Sequence, residues 1–148
     1  MCIINKTNKG LSMELINLLK KRDLKATPQR LCVLKILKKH EHPNIDELYA
    51  QVKDEYPSIS LATVYKNLNT LQEQGLVVEV NVPNQKAYYD IYEEPHMHII
   101  CSDCGKISDL KFKDTNLTKY QEELEKTIGN FITRLELSAY TDFCPNCR

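Results

Sequence analysis

Two cysteine pairs, Cys101-x-x-Cys104 and Cys144-x-x-Cys147, are the residues of this chain best suited to inorganic chemistry. One C-x-x-C turn can bring two thiolates to a cation, and two such turns complete the tetrahedral four-sulfur shell that structural Zn2+ prefers. Thirty-nine residues separate the pairs, more than the roughly 15–20 of a compact zinc ribbon. The second pair therefore returns from a long excursion and ties the end of a domain to its first strand. The competing use of C-x-x-C is thiol–disulfide exchange, in which one pair suffices and sits between a strand and a helix. A zinc-ribbon thiol oxidoreductase acting through Cys101 and Cys104 is thus a distant alternative, and two pairs favour zinc. Cys32, set among Leu31, Val33 and Leu34, reads as a small buried hydrophobe, and Cys2 is incidental to the pattern.

The four histidines form a second constellation, grouped as His40/His42 and His96/His98. On an extended strand, residues i and i+2 share a face, so His96 and His98 can chelate one ion together. Asp90, on the preceding strand-like run, projects to the same face if the two segments continue without a bulge. Nitrogen and oxygen ligands suit Fe2+, Mn2+ or Zn2+ without requiring sulfur. Spacing alone does not choose between His40 and His42 as a further ligand. No nucleophile–base set accompanies these groups, and the chain is not read as an enzyme.

The elements that must position these groups follow from periodicity and caps. Residues 13–22 form a short amphipathic helix through Leu15, Leu18 and Leu19. Thr27-Pro28 is an N-cap followed by proline at the first helical position, and Leu31, Val33, Leu34, Ile36 and Leu37 continue that helix. After the break at His40-Glu41-His42-Pro43, Asn44 and Glu47 make a capping pair for a helix that Pro57 stops. Ser60 caps a further helix, with Leu61, Val64, Leu68 and Leu71 on one face and Gly75 closing it. Runs 77–82 and 87–92, joined by Pro83-Asn84-Gln85-Lys86, predict a hairpin. Helices followed by this hairpin make a winged helix-turn-helix, whose capped 60–74 helix is the natural reader of a DNA major groove. Thr63, Tyr65, Lys66 and Asn69 on its polar face, with Arg30 and Lys86, are the candidate DNA contacts. Beyond residues 93–95 the pattern becomes strand 96–101, strand 107–112, helix 116–128 and strand 131–140. The predicted fold class is α+β, with one domain over 13–92 and a small α/β domain over 96–148.

Charge agrees with a nucleic-acid partner. The chain is neutral as a whole, yet residues 1–40 carry ten lysines and arginines against two acids. A basic front module on a neutral chain predicts that one module alone meets a polyanion. No apolar run approaches the roughly 20 residues of a membrane helix. Met1-Cys2-Ile3-Ile4-Asn5-Lys6 lacks the order of an export signal, so a cytoplasmic, reducing location is expected.

Five motifs in sequence, ATPQR at 26–30, HPNIDELY at 42–49, LATVYKNLNTL at 61–71, HMHIICSDCGK at 96–106 and the terminal CPNC, resemble the ferric uptake regulator superfamily from Met13 onward. Within it the chain looks most like the peroxide-sensing repressor branch. The resemblance implies a homodimeric, metal-dependent repressor with winged-helix readers of double-stranded DNA and a C-terminal dimerisation domain. It implies a regulatory Fe2+ or Mn2+ site on His42, Asp90, His96, His98 and Asp109, beside structural zinc on the four cysteines. In peroxide-sensing relatives, bound Fe2+ reacts with peroxide and a ligand histidine is oxidised; by position those histidines are His42 and His96. Aspartate at 109, where iron sensors usually carry glutamate, favours the peroxide branch over the alternative of an iron-level sensor. Residues 1–12 have no counterpart in the resemblance, so Met13 is a possible start. Lys66 stands where iron regulators often carry arginine, keeping a phosphate contact but not a bidentate one to guanine.

Overall fold

Local capping sets the helices of the N-terminal half. In a computed structural model that describes residues 8–147, Thr27 accepts a hydrogen bond from the Arg30 amide and starts α2 (Pro28–Leu37) with proline in its first turn. Asn44 and Glu47 close a reciprocal capping box on α3 (Ile45–Glu55), and Ser60 accepts from Thr63 N–H at the start of α4 (Leu61–Glu73). Each cap satisfies an amide that the first helical turn otherwise leaves unpaired. Gly75, with φ of 71°, ends α4 in the left-handed conformation that glycine adopts without strain. The expectations about Cys2 and about a signal within residues 1–6 lie outside the described residues.

The first helix departs from the predicted 13–22. It runs as α1 (Asn8–Lys20), because Leu11 also packs against the core and extends the apolar stripe one turn earlier. Leu61 is a second correction: it is 39% exposed. The buried stripe of α4 is Val64, Leu68 and Leu71.

The hairpin is shorter than its apolar runs. It comprises β1 (Val77–Val80) and β2 (Tyr88–Ile91), antiparallel with Val77 opposite Ile91. Its connection turns at Pro83-Asn84, where Gln85 N–H donates to the Val82 carbonyl and Asn84 takes φ of 61°. Proline followed by a left-handed asparagine is the signature of a type II turn. One hydrophobic core, from Leu15 and Leu19 through Leu34, Leu48, Val64 and Leu68 to Ile91, joins these helices to the hairpin. The result is a winged helix-turn-helix.

Contacts divide the chain into two units, the first ending at Ile91 and the second starting at Tyr92. The second unit is a three-stranded sheet in the order β4-β3-β5. Its strands are β3 (His96–Cys101), β4 (Ile107–Lys111) and β5 (Ser138–Thr141). A 3-10 turn (Phe112–Asp114) and α5 (Leu117–Ile128) connect β4 to β5. β3 pairs antiparallel with β4 and parallel with β5. The predicted strand 131–140 is therefore confined to its last residues. Ser138 stands opposite His98 of β3, and the His98 N–H donates to the Leu137 carbonyl just before it at 3.1 Å. α5 starts one residue later than the predicted 116–128, with Asn116 as its N-cap, and none of its residues is buried. Among the described residues no helix is long and apolar enough to cross a membrane.

Candidate metal centres and nucleic-acid interface

The topology of the second unit brings its cysteines together. Cys101 ends β3 opposite Thr141 of β5, and Ser102 N–H donates to the Thr141 carbonyl at 2.8 Å. The chain leaving β5 therefore starts beside the turn that carries Cys101 and Cys104, with Cys144 and Cys147 just beyond. That turn is closed by Gly105, whose amide donates to the Cys101 carbonyl and whose φ is 73°. The second pair is bent by a bond from Cys147 N–H to the Cys144 carbonyl.

Sulfur–sulfur distances are 3.4 Å for Cys101–Cys147, 3.7 Å for Cys104–Cys144 and 3.3 Å for Cys144–Cys147. All four cysteines are free thiols, their sulfurs within 4.8 Å of one another. A tetrahedron with metal–sulfur bonds of about 2.3 Å has sulfur–sulfur edges of about 3.8 Å, whereas a disulfide bond is about 2.0 Å long. The cluster has the dimensions of a zinc shell. Its protonation agrees with that. The Cys104 backbone amide, helped by the Cys147 thiol, lowers Cys101 to about 6 against the cost of its burial. Cys144 is also lowered, chiefly by its hydrogen bond with Cys147. The Cys144 backbone amide favours a thiolate at Cys147 too, but the neighbouring Cys104 and Cys144 sulfurs push Cys147 well above the ordinary thiol range. Cys101 and Cys144 are shifted toward the thiolate and Cys147 away from it, and four negative sulfurs in this space require a cation.

The histidine and carboxylate groups occupy both units. In the second, β3 and β4 place His98 directly opposite Asp109, and opposed residues of an antiparallel pair share a face. His96, two residues along β3, shares it too. His96 Nε2 lies 3.2 Å from His98 Nε2, and Asp109 Oδ1 lies 3.6 Å from His98 Nε2 and 4.0 Å from His96 Nε2. His96 Nδ1 is 2.9 Å from the Glu94 carbonyl. A proton on Nδ1 donating to that carbonyl leaves Nε2 with its lone pair turned toward the cluster. Both histidines are buried. Two imidazole nitrogens and a carboxylate oxygen converging in a buried space match the donor set of a borderline divalent cation.

In the first unit, His42 and Asp90 meet through a route different from the continuous strand face expected for Asp90. β2 and β3 belong to separate sheets. The turn at residues 40–43 is instead stitched to β2 by Tyr89 N–H donating to the Pro43 carbonyl at 2.9 Å and by a bridge between Asn44 and Tyr88. His42 Nε2 then lies 3.4 Å from Asp90 Oδ2. His40, which the spacing left open, reaches the other oxygen, with Nδ1 3.3 Å from Asp90 Oδ1. The Asp90 side chain is fully buried. No sequence signal marked the left-handed backbone of His40 and His42 that makes this approach possible.

Thr63, Tyr65, Lys66 and Asn69 all lie on α4 turned away from the buried Val64–Leu68–Leu71 stripe. Arg30 donates from Nη1 to the Lys25 carbonyl at 3.2 Å. Lys86, on the wing, is paired with Asp46 of α3. Sequence reasoning did not anticipate that pairing. Lys66→Ala is expected to weaken DNA binding and to lower the slope of log affinity against log salt by about 0.9 for each phosphate that the lysine neutralises. A titration across salt concentrations checks this, and an unchanged slope would place Lys66 off the interface.

A winged helix-turn-helix followed by a sheet that bears a four-thiol cluster and a buried imidazole–carboxylate set defines a winged-helix metalloprotein. The model of the ferric uptake regulator family matches residues 21–140, and the chain belongs to that family. It is 36% identical over 137 residues to the peroxide-responsive repressor PerR of Staphylococcus aureus, covering 91% of this chain and 90% of that one. The crystal structure of the Campylobacter jejuni peroxide stress regulator matches at 70% identity and a TM-score of 0.79, over 91% of this chain and all of that one. The ferric uptake regulator of Vibrio cholerae matches at 28% identity and a TM-score of 0.62, over 88% and 99% of the two chains.

Proposed function

We propose that the protein is a metal-dependent transcriptional repressor that binds operator DNA as a homodimer in the cytoplasm and releases it in response to peroxide. The buried meeting of His96, His98 and Asp109 on β3 and β4 carries this reading. Similarity supports the signal: the peroxide regulators of C. jejuni and S. aureus share 70% and 36% identity with the chain, against 28% for the V. cholerae iron regulator.

Each group of residues has its own part in this reading. Cys101, Cys104, Cys144 and Cys147 hold structural Zn2+. His42 and Asp90 from the first unit and His96, His98 and Asp109 from the second hold one regulatory Fe2+ or Mn2+. Ligands drawn from both units let occupancy of that site select the arrangement of reading helices that fits two operator half-sites, by as much as affinity differs between arrangements. Thr63, Tyr65, Lys66 and Asn69 face the groove, with Arg30 and Lys86 beside the phosphates. α5 supplies the dimer face. Tyr120 is 49% exposed and Ile128 59%, an apolar surface that a second copy covers.

When bound at these residues, Fe2+ would supply the redox chemistry that activates peroxide. By their place in the family resemblance, His42 and His96 are the imidazoles that would take one peroxide oxygen into a ring C–H bond, the other oxygen leaving as water. Oxidation turns a neutral nitrogen ligand into a poorer one and lowers the differential affinity that held the DNA-competent state.

Operator binding by the Fe2+ and Mn2+ forms, before and after dilute peroxide, tests this. The Fe2+ form is expected to release DNA and to gain one oxygen on a peptide containing His42 or His96, while the Mn2+ form keeps binding. Equal retention by both forms would overturn the peroxide reading. Release on iron chelation with no histidine oxidation would assign iron level as the signal.

A further inference from the structure

Two helices of the first unit, α1 and α4, end in the same way and are joined at their ends by one side chain. Past α1, Asp23 N–H donates to the Lys20 carbonyl and Leu24 N–H to the Leu19 carbonyl, both at 3.0 Å. Past α4, Gly75 N–H donates to the Gln72 carbonyl and Leu76 N–H to the Leu71 carbonyl, both at 2.9 Å. These are the nested bonds of a Schellman cap, which needs one residue in left-handed backbone. Asp23 takes φ of 54° and Gly75 φ of 71°. The residue just before each is the last to belong to its helix: Arg22 for α1 and Gln74 for α4. Arg22 donates from Nη1 to the Gln74 carbonyl. A Cβ placed on Gly75 would stand 3.4 Å from that same nitrogen, so the guanidinium lies against the whole cap of α4.

The C-terminal end of a helix is the negative pole of its peptide dipoles, and a cation there stabilises it. α4 supplies none of its own: its last turn holds no basic residue and finishes on Glu73. We infer that Arg22 is a positioning residue for DNA reading, capping the C-terminal end of α4 from the end of α1 and so fixing the angle of the reading helix. The inference rests on the reading of α4 as the element that enters the groove. Thr63, Tyr65, Lys66 and Asn69 lie toward the other end of this 13-residue helix, which is about 20 Å long. A tilt of about 5° at the capped end moves the first turn by roughly 2 Å, more than a hydrogen bond to a base edge tolerates. Arg22 thereby leaves the group of ten N-terminal lysines and arginines that could meet a polyanion, because its guanidinium serves a carbonyl of the protein itself.

The test uses the full-length protein loaded with Zn2+ and Mn2+, and a DNA duplex that the wild type selects from a random-sequence pool. The variants are Arg22→Ala, Arg22→Lys and a double variant, Tyr65→Ala with Asn69→Ala. Well below every thermal midpoint, Arg22→Ala should bind the duplex about tenfold more weakly, the factor that losing one charge-assisted hydrogen bond gives. Its slope of log affinity against log salt should match wild type, and its Gly75 and Leu76 amides should exchange hydrogen faster. Arg22→Lys, which keeps a cationic donor, should recover most of the affinity. A slope lower by about 0.9 for each phosphate would make Arg22 a DNA contact and overturn the inference. So would wild-type affinity with only a lower thermal midpoint, or unchanged exchange at Gly75 and Leu76. The double variant separates the two levels. If it binds the duplex like wild type, the reading of α4 fails and the inference falls with it. If it is weakened while Arg22→Ala is not, only the role of Arg22 is lost.

Discussion

Replacing Cys144 by serine is expected to strip the zinc from the second unit and to unfold it. Among the described residues from Tyr92 onward, the buried apolar side chains are Ile100, Cys101, Ile107 and Phe112. A core of that size supplies only a small part of the stability that a domain of this length needs. Structural zinc contributes about 10–16 kcal/mol of apparent binding energy at neutral pH. That matches or exceeds the roughly 5–15 kcal/mol by which whole domains are stable. Cys144 is also central to the cluster, within 3.3 Å of Cys147 and 3.7 Å of Cys104, and serine replaces a low-lying thiol with a hydroxyl that does not ionise. Elemental analysis should find the zinc, about one ion per chain in the wild type, nearly absent. Sedimentation should find monomer. The winged-helix unit, with its own core from Leu15 to Ile91, should keep its helical signal. A Cys144→Ser protein that remains a zinc-loaded dimer would show that no such staple holds the unit.

Asp109→Ala is expected to do the reverse, sparing the fold and abolishing the response. Asp109 is an inward-facing residue of β4 whose side chain is 17% exposed, and it belongs to no part of the sulfur cluster. Its loss removes one of the two carboxylates that the proposed site offers to balance a divalent ion. The Mn2+ concentration needed for half-maximal operator binding should rise by at least the 10–100-fold that even outer-shell changes cost. Zinc content and thermal midpoint should stay close to wild type. Operator binding at the wild-type Mn2+ concentration would exclude Asp109 from the site.

What could be read in advance was whatever is local along the chain. Thr27, Asn44 and Ser60 were legible as caps because a cap needs only its own next three residues. The C-x-x-C pairs were legible because two thiolates on one turn have few other uses. His96 and His98 were legible from the two-residue period of a strand, whereas Asp109 entered through family resemblance, since its place opposite His98 depends on register across a turn. Non-local features stayed hidden. β5 covers Ser138–Thr141, alongside His98–Cys101 of β3, which propensity in 131–137 does not reveal. The meeting of His42 with Asp90 depends on a loop stitched to β2 at Tyr89 and on left-handed backbone at residues that carry no glycine signal. α5 has the amphipathic spacing of a buried helix, yet spacing does not say whether the covering surface comes from the same chain.

The parallel pairing of β3 with β5 has a consequence for how the protein is made. His98 meets Ser138 across a long stretch of intervening chain, whereas the wing hairpin closes over a short turn. Long-range parallel pairing is the slow part of folding, since the loop must be closed before any pairing rewards it. During synthesis the DNA-reading unit can therefore fold while the second still lacks its closing strand. The sulfur shell is incomplete until Cys144 and Cys147 have emerged. The DNA-reading unit is thus folded before the unit whose zinc shell those two cysteines complete.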